Sequence, residues 1–344
     1  GPSARHARFN RGQHLCWWGI TLTQNGGDPI PSLDEAVEDF TRMLRENSDD
    51  VGALSGRGNA RTRIGEAQAR AGSDPRPSYE HALADLDRAV ELDGQDLSAL
   101  ANRARTLIFL GEAEAARGLD PRERHQRADA DLRGALRLFP GFVEAMHDLA
   151  ALCLDRAALA AARGGDPRPL QDEAIQLLDH ALELCPGDPQ ALLLRGTSHS
   201  SRAEAGSERG EDPTSSFDLA VADLDAVLEV NPRHPSALQN RGNAWLRRAT
   251  WERSRGADPA RSLLRACADF DEAVQRQPFD AQVWSSRAAA RLRVAEDSLA
   301  RGQDAGKWID EAIADLDEAL SRAPLDTSIF LNRGAAWFFR GQAE

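Results

Sequence analysis

Lysine is almost absent from this chain: Lys307 is the only one in 344 residues, and arginine carries the rest of the positive charge. Tyr79 is the only tyrosine. No apolar run approaches the roughly 18 residues that span a bilayer, so no membrane contact is expected. The formal charge is −13, which removes any overall basic footprint, and no nucleic-acid partner is expected. The four cysteines, Cys16, Cys153, Cys185 and Cys267, make no CxxC pair and share no spacing. They are expected as small buried thiols in a reducing, cytoplasmic setting, with neither a zinc site nor a disulfide framework. The eight histidines show no HxxxH or HExxH spacing, and there is no GxSxG elbow or Cys/His nucleophilic pair. The reading is a non-enzyme with no cofactor, no metal and no catalytic residue. The Gly-Pro-Ser opening without Met reads as a tag-cleavage scar on an excised fragment.

What the chain has instead is a period of 46 residues. A small residue after an arginine position recurs at Gly12, Gly58, Ala104, Ala150, Gly196, Gly242, Ala288 and Gly334. A period of that size marks a solenoid. A glycine follows fourteen residues later, at Gly26, Gly72, Gly118, Gly164, Gly210, Gly256 and Gly302. It suits a helix end that turns left-handed. Two residues further on stands Asp-Pro, from Asp28-Pro29 to Asp258-Pro259, with Asp304-Ala305 in the seventh repeat. Aspartate caps free helix amides and proline suits the first helical position. Each repeat therefore predicts two helices joined by a Gly-x-Asp-Pro turn. In the second, an alanine is followed after four residues by Phe or Leu, and after three more by a mostly small residue. Ala82, Leu86 and Ala89 are one example, and these spacings share one helical face. The first helix supplies Leu54, Leu100, Met146, Leu192, Leu238, Trp284 and Phe330 to the same core.

This order of large apolar, glycine, small, aromatic, alanine, Phe/Leu, alanine and proline resembles the tetratricopeptide repeat, a helix-turn-helix unit of about 34 residues. The Gly242 to Ala266 distance is 24 residues, so the helices are expected to be longer than the family's. The resemblance implies an all-α, right-handed α-solenoid of about seven antiparallel hairpins and a terminal helix over residues 1–344. The repeats fall at approximately 5–50, 51–96, 97–142, 143–188, 189–234, 235–280 and 281–326, with a final helix at 327–344. It also implies a scaffold that binds a protein or peptide on its concave face. Carried over by position, that face holds Ser55, Asn59, Thr62, Arg105, His147, Thr197, Gln239 and Asn243. The rival reading is a structural spacer or oligomerisation arm of a larger signalling protein whose enzymatic domain lies outside this fragment. Trp337, Phe338 and Phe339 crowd the last helix, where a further helix or self-association is expected.

One charged pattern reads as structural. Arginines precede the anchor at Arg11, Arg57, Arg103, Arg195, Arg241, Arg287 and Arg333, and aspartates recur at Asp39, Asp85, Asp131, Asp223, Asp269 and Asp315. The fourth repeat alone loses both, to Leu149 and Leu177. That joint loss predicts an Arg–Asp pair between the two helices of one repeat. Asp-Leu-Asp strings such as Asp85-Leu86-Asp87 resemble calcium ligands in composition, but they fall mid-helix, where no compact loop forms.

Overall fold

The computed structural model describes residues 2–24, 27–324 and 326–343. Among these residues there are fifteen helices and no strand. The first helices of the repeats are α1 (Pro2–Gln24), α3 (Val51–Arg70), α5 (Leu97–Ala115), α7 (Val143–Ala162), α9 (Pro189–Ser207), α11 (Pro235–Ser254), α13 (Ala281–Ala300) and α15 (Thr327–Ala343). The second helices are α2 (Ile30–Glu46), α4 (Arg76–Leu92), α6 (Arg122–Leu138), α8 (Arg168–Leu184), α10 (Thr214–Val230), α12 (Ala260–Arg276) and α14 (Gly306–Arg322). Both sets begin at intervals of 46 residues from the second repeat onward.

The turn chemistry explains these boundaries. Gly72, Gly118, Gly164, Gly210, Gly256 and Gly302 all have φ between 68° and 84°, a left-handed conformation that side chains resist. Gly26 lies outside the described residues. After each turn the aspartate Oδ1 accepts the amide of the first helical residue, from Ile30 on Asp28 to Gly306 on Asp304. A second set of caps starts the first helices. Asp50, Asp96, Asp188, Asp280 and Asp326 accept amides there, and His234 Nδ1 does so in the sixth repeat.

The chain divides into two compact units, residues 1–156 and 157–344, with the boundary inside α7. Each unit is a stack of hairpins. In the first, Leu33, Ala36, Phe40, Met43, Leu54, Ala60 and Ala89 bury a continuous core. In the second, Leu224, Val227, Leu238 and Ala273 do so beside Trp245, Ala266 and Phe270. Small anchors let the helices approach: a Cβ added at Gly58 would lie 2.5 Å from Leu86 Cγ. Within each unit the backbones of consecutive first helices come close, α1 to α3 to α5 and α9 to α11 to α13 to α15, whereas those of consecutive second helices stay apart and meet through long side chains, as Arg127 of α6 does with Asp87 of α4 at 2.8 Å. The first helices therefore form the inner wall of each unit.

The Arg–Asp pairs join the two helices of one repeat in all six cases. Arg57, Arg103, Arg195, Arg241 and Arg287 each place Nε 2.8–3.0 Å and Nη2 2.6–2.7 Å from the two oxygens of the aspartate 28 residues on. Arg11 pairs with Asp39 in the same way. Such a fork matches a carboxylate better than a point charge does. The guanidinium also reaches back to the preceding repeat's second helix: Arg103 to Asp87, Arg195 to Asp179, Arg241 to Asp225 and Arg287 to Asp271. The Asp-Leu-Asp strings thus serve two successive arginines. In the fourth repeat the arginine position is Leu149 and its two partner positions are Leu177 and Arg133, so all three members of the clamp change together.

Two expectations are corrected. Cys185 is exposed rather than buried, because it caps the solvent-facing end of α8, while Cys16, Cys153 and Cys267 are buried. Phe330 is not a core residue: it is about half exposed, since no second helix lies over α15 among the described residues.

Candidate binding face

The inner wall of the first unit is built from α1, α3, α5 and the start of α7. The close approach of these helices withdraws two of the expected site residues. Ser55 is buried and accepts from Asn102 Nδ2 at 3.2 Å. Thr62 is buried too, donating to the Gly58 carbonyl and sharing a 2.7 Å bond with Thr106 on the next first helix. Both seal the wall instead of facing a partner, so their assignment as contact residues is corrected. Arg105 is on the wall but its fork is taken by Asp148 of α7, at 2.8 Å through Nη2 and 3.2 Å through Nε. Asn59 and His147 are half-buried on the same side.

In the second unit the wall comprises α9, α11, α13 and α15. Thr197 donates to the Leu193 carbonyl and accepts from Asn240 Nδ2 at 2.9 Å, so it too links neighbouring helices. Gln239 and Asn243, half-buried on α11, keep amide surface at the wall. An amide of this kind donates and accepts at once, which suits a peptide main chain.

Sequence reasoning missed a charged strip in the first unit: Arg63, Glu66, Arg105, Glu112, Asp148 and Asp155. A signal was available, since Glu66, Glu112, Glu204 and Glu296 occupy one repeat position eight residues after the anchor. Arg63 and Glu66 approach only to 3.8 Å. The Arg63 guanidinium is lowered by burial, partly offset by the charge of Glu66. Glu112 and Asp155 share a hydrogen bond. Burial, then the charges of Asp155 and Glu66, push the Glu112 carboxyl up to about 7, and burial pushes Asp155 up to about 6. A hydrogen bond between two carboxyl groups needs one proton between them, so the pair titrates as a unit. Beside Glu112 opens a cavity of about 410 Å³ lined by Ala69, Pro75, Tyr79, Phe109 and Arg117. Among the described residues no cluster of three or more His, Cys, Asp and Glu could hold a metal ion, and no helix is long and apolar enough to cross a membrane.

These shifts give a pH dependence. Both folded-state values lie above the ordinary 4.5 and 3.8, so the folded unit holds these protons more tightly than the unfolded chain. The stabilisation is complete below about pH 4 and disappears as pH rises through 6 to 7. Glu112 stands open to water at one edge, so screening leaves on the order of 1 kcal/mol. Glu112→Gln should melt with the wild type at pH 4.5 and about 3 °C above it at pH 8, by circular dichroism. Equal melting at both values would remove the carboxylate repulsion.

No known family profile matches the sequence, and no curated protein matches it. Solved structures do. A tetratricopeptide repeat protein from Parabacteroides merdae superposes with a TM-score of 0.53 at 17% identity, covering 95% of this chain and 99% of that one. The complex of Cut9 and Hcn1 from the APC/C gives 0.49 at 13% identity, covering 88% of this chain and 52% of that one. PilW, a type IV pilus biogenesis factor, gives 0.45 at 18% identity, with 80% and 97% covered. At such identities the first likeness speaks for architecture alone: this chain has the tetratricopeptide-repeat fold, an all-α solenoid of stacked helix hairpins.

Proposed function

We propose that this chain is a non-catalytic scaffold that holds an extended peptide or protein segment along the inner wall of its first helices. The observation that carries the reading is the contact between consecutive first helices, which makes a wall bearing Asn59 in one unit and Gln239 and Asn243 in the other. His147 on α7 belongs to the same proposed face in the first unit, and Thr197 on α9 in the second, where it accepts from Asn240 of α11. Arg105 sets the wall's electrostatics through Asp148. The strip of the first unit holds four carboxylates against two guanidiniums, which favours a neutral or basic peptide over an acidic one. As part of the same proposal, the chain works in a cytoplasmic setting with no nucleic-acid partner.

The test of binding is capture of partners by the wild-type chain and by Asn59→Ala/Gln239→Ala/Asn243→Ala, which leaves every ion pair in place. A partner held by the wild type and lost at least tenfold by the triple variant supports the wall as the site. Undiminished capture moves the contact elsewhere and abandons this face.

A further inference from the structure

Where a second helix meets the first helix that follows it, two repeat positions are held by Leu33 and Ile64, by Tyr79 and Leu110, and by Leu263 and Val294. All six are buried. Between α6 and α7 the same two positions hold His125 and Arg156. His125 is 5% exposed, and neither ring nitrogen has a hydrogen-bond partner among the described residues. Gly111 of α5 closes on the ring, since a Cβ there would lie 3.1 Å from Nε2. Arg156 is fixed by Asp129, one turn further along α6, at 2.8 Å, and Asp129 also takes Arg133. The other carboxylates at this joint are engaged as well. Glu112 of α5 bonds Asp155 of α7, Glu114 of α5 meets Arg124, and Asp120 of the preceding turn meets Arg122.

We propose that His125 is an acid-sensitive catch in the first unit: the neutral imidazole seats α6 between α5 and α7, and its protonation loosens that seat. A proton on the ring places an imidazolium beside the Arg156 guanidinium in a site closed to water, where the surrounding carboxylates already serve other groups. Burial, then the charge of Arg156, lower the His125 pKa from 6.5, and Asp120 offsets part of this. The folded unit therefore resists a proton that the unfolded chain accepts. Stability present above pH 6.5 is lost as pH falls below that value. Glu112 and Asp155 act in the opposite sense, since both hold their protons more tightly in the folded unit, so loosening in acid does not come from them. The apolar pairs at the other joints have no proton to gain in this range.

Amide hydrogen exchange of the full chain at about pH 5 and about pH 7.5, corrected for the intrinsic pH dependence of exchange, tests this. Protection of α6 should fall about tenfold at the lower value, the change that one unit of pKa displacement produces. His125→Gln, which places the neutral side chain of Gln171 at this position, should abolish most of that fall. His125→Leu, which copies Leu33, should do the same. Followed by NMR, the His125 ring of the wild type should titrate below 6.5 and move upward in Arg156→Leu, a shift that lost packing alone does not produce. An equal fall in protection in the wild type and in both His125 variants overturns the proposal. So does a His125 titration at or above 6.5 in the wild type.

Discussion

Asp269→Leu is expected to lower the unfolding free energy by about 3 kcal/mol, and Arg241→Leu with Asp269→Leu by clearly less. Asp269 is buried, and its two oxygens take Nε and Nη2 of Arg241 at 3.0 and 2.6 Å. Those hydrogen bonds hold the guanidinium above even its usual range. Removing the carboxylate leaves half of a half-buried guanidinium facing leucine, and the exposed Asp225 offsets only part of that loss. Removing both charges strands only Asp225, which already meets water and loses little. The fourth repeat has made this exchange, with Leu149 buried where its arginine would stand. Urea unfolding of the single and double variants decides it. Equal losses would mean that the pair contributes through packing, not charge.

Phe40→Ala should cost about 3–5 kcal/mol, at the high end for a core truncation. The Phe40 ring is fully buried and rests on two glycines, with the Cβ positions of Gly12 and Gly56 at 2.7 and 2.5 Å from ring carbons. Phe9 meets it edge-on at 6.0 Å between centroids. Glycines in helices cannot swing a side chain into the vacated space, so the cavity remains. Phe40→Leu keeps most of the volume and should lose less than half as much. Phe330→Ala, at the open end of the second unit, should stay within about 1 kcal/mol. Similar losses at Phe40 and Phe330 would show that α15 is covered in solution.

The difference between these two phenylalanines marks how far sequence reading reaches. Both precede no obvious signal of exposure, and Phe330 shares its register with buried Leu54 and Leu238. Helix boundaries, the Gly-x-Asp-Pro turn and the alanine–leucine core face were legible because each depends on residues within one repeat. The Arg–Asp fork was legible for a related reason: Leu149 and Leu177 depart together inside one repeat.

What lay between repeats was decided by tertiary structure. The return bonds from Arg103 to Asp87 and from Arg241 to Asp225 depend on how one hairpin leans on the one before it. So does the loss of Ser55 and Thr62 as contact residues, since the first helices approach closely enough to bring Thr62 against Thr106. The charged strip from Arg63 to Asp155 needs three successive helices to assemble. Sequence by itself determined the hairpin, because helix capping and amphipathic spacing act over one or two turns of backbone. Only the stacking of hairpins decided which polar groups were sealed and which were left at the wall, because curvature sums small packing distances that no single repeat contains.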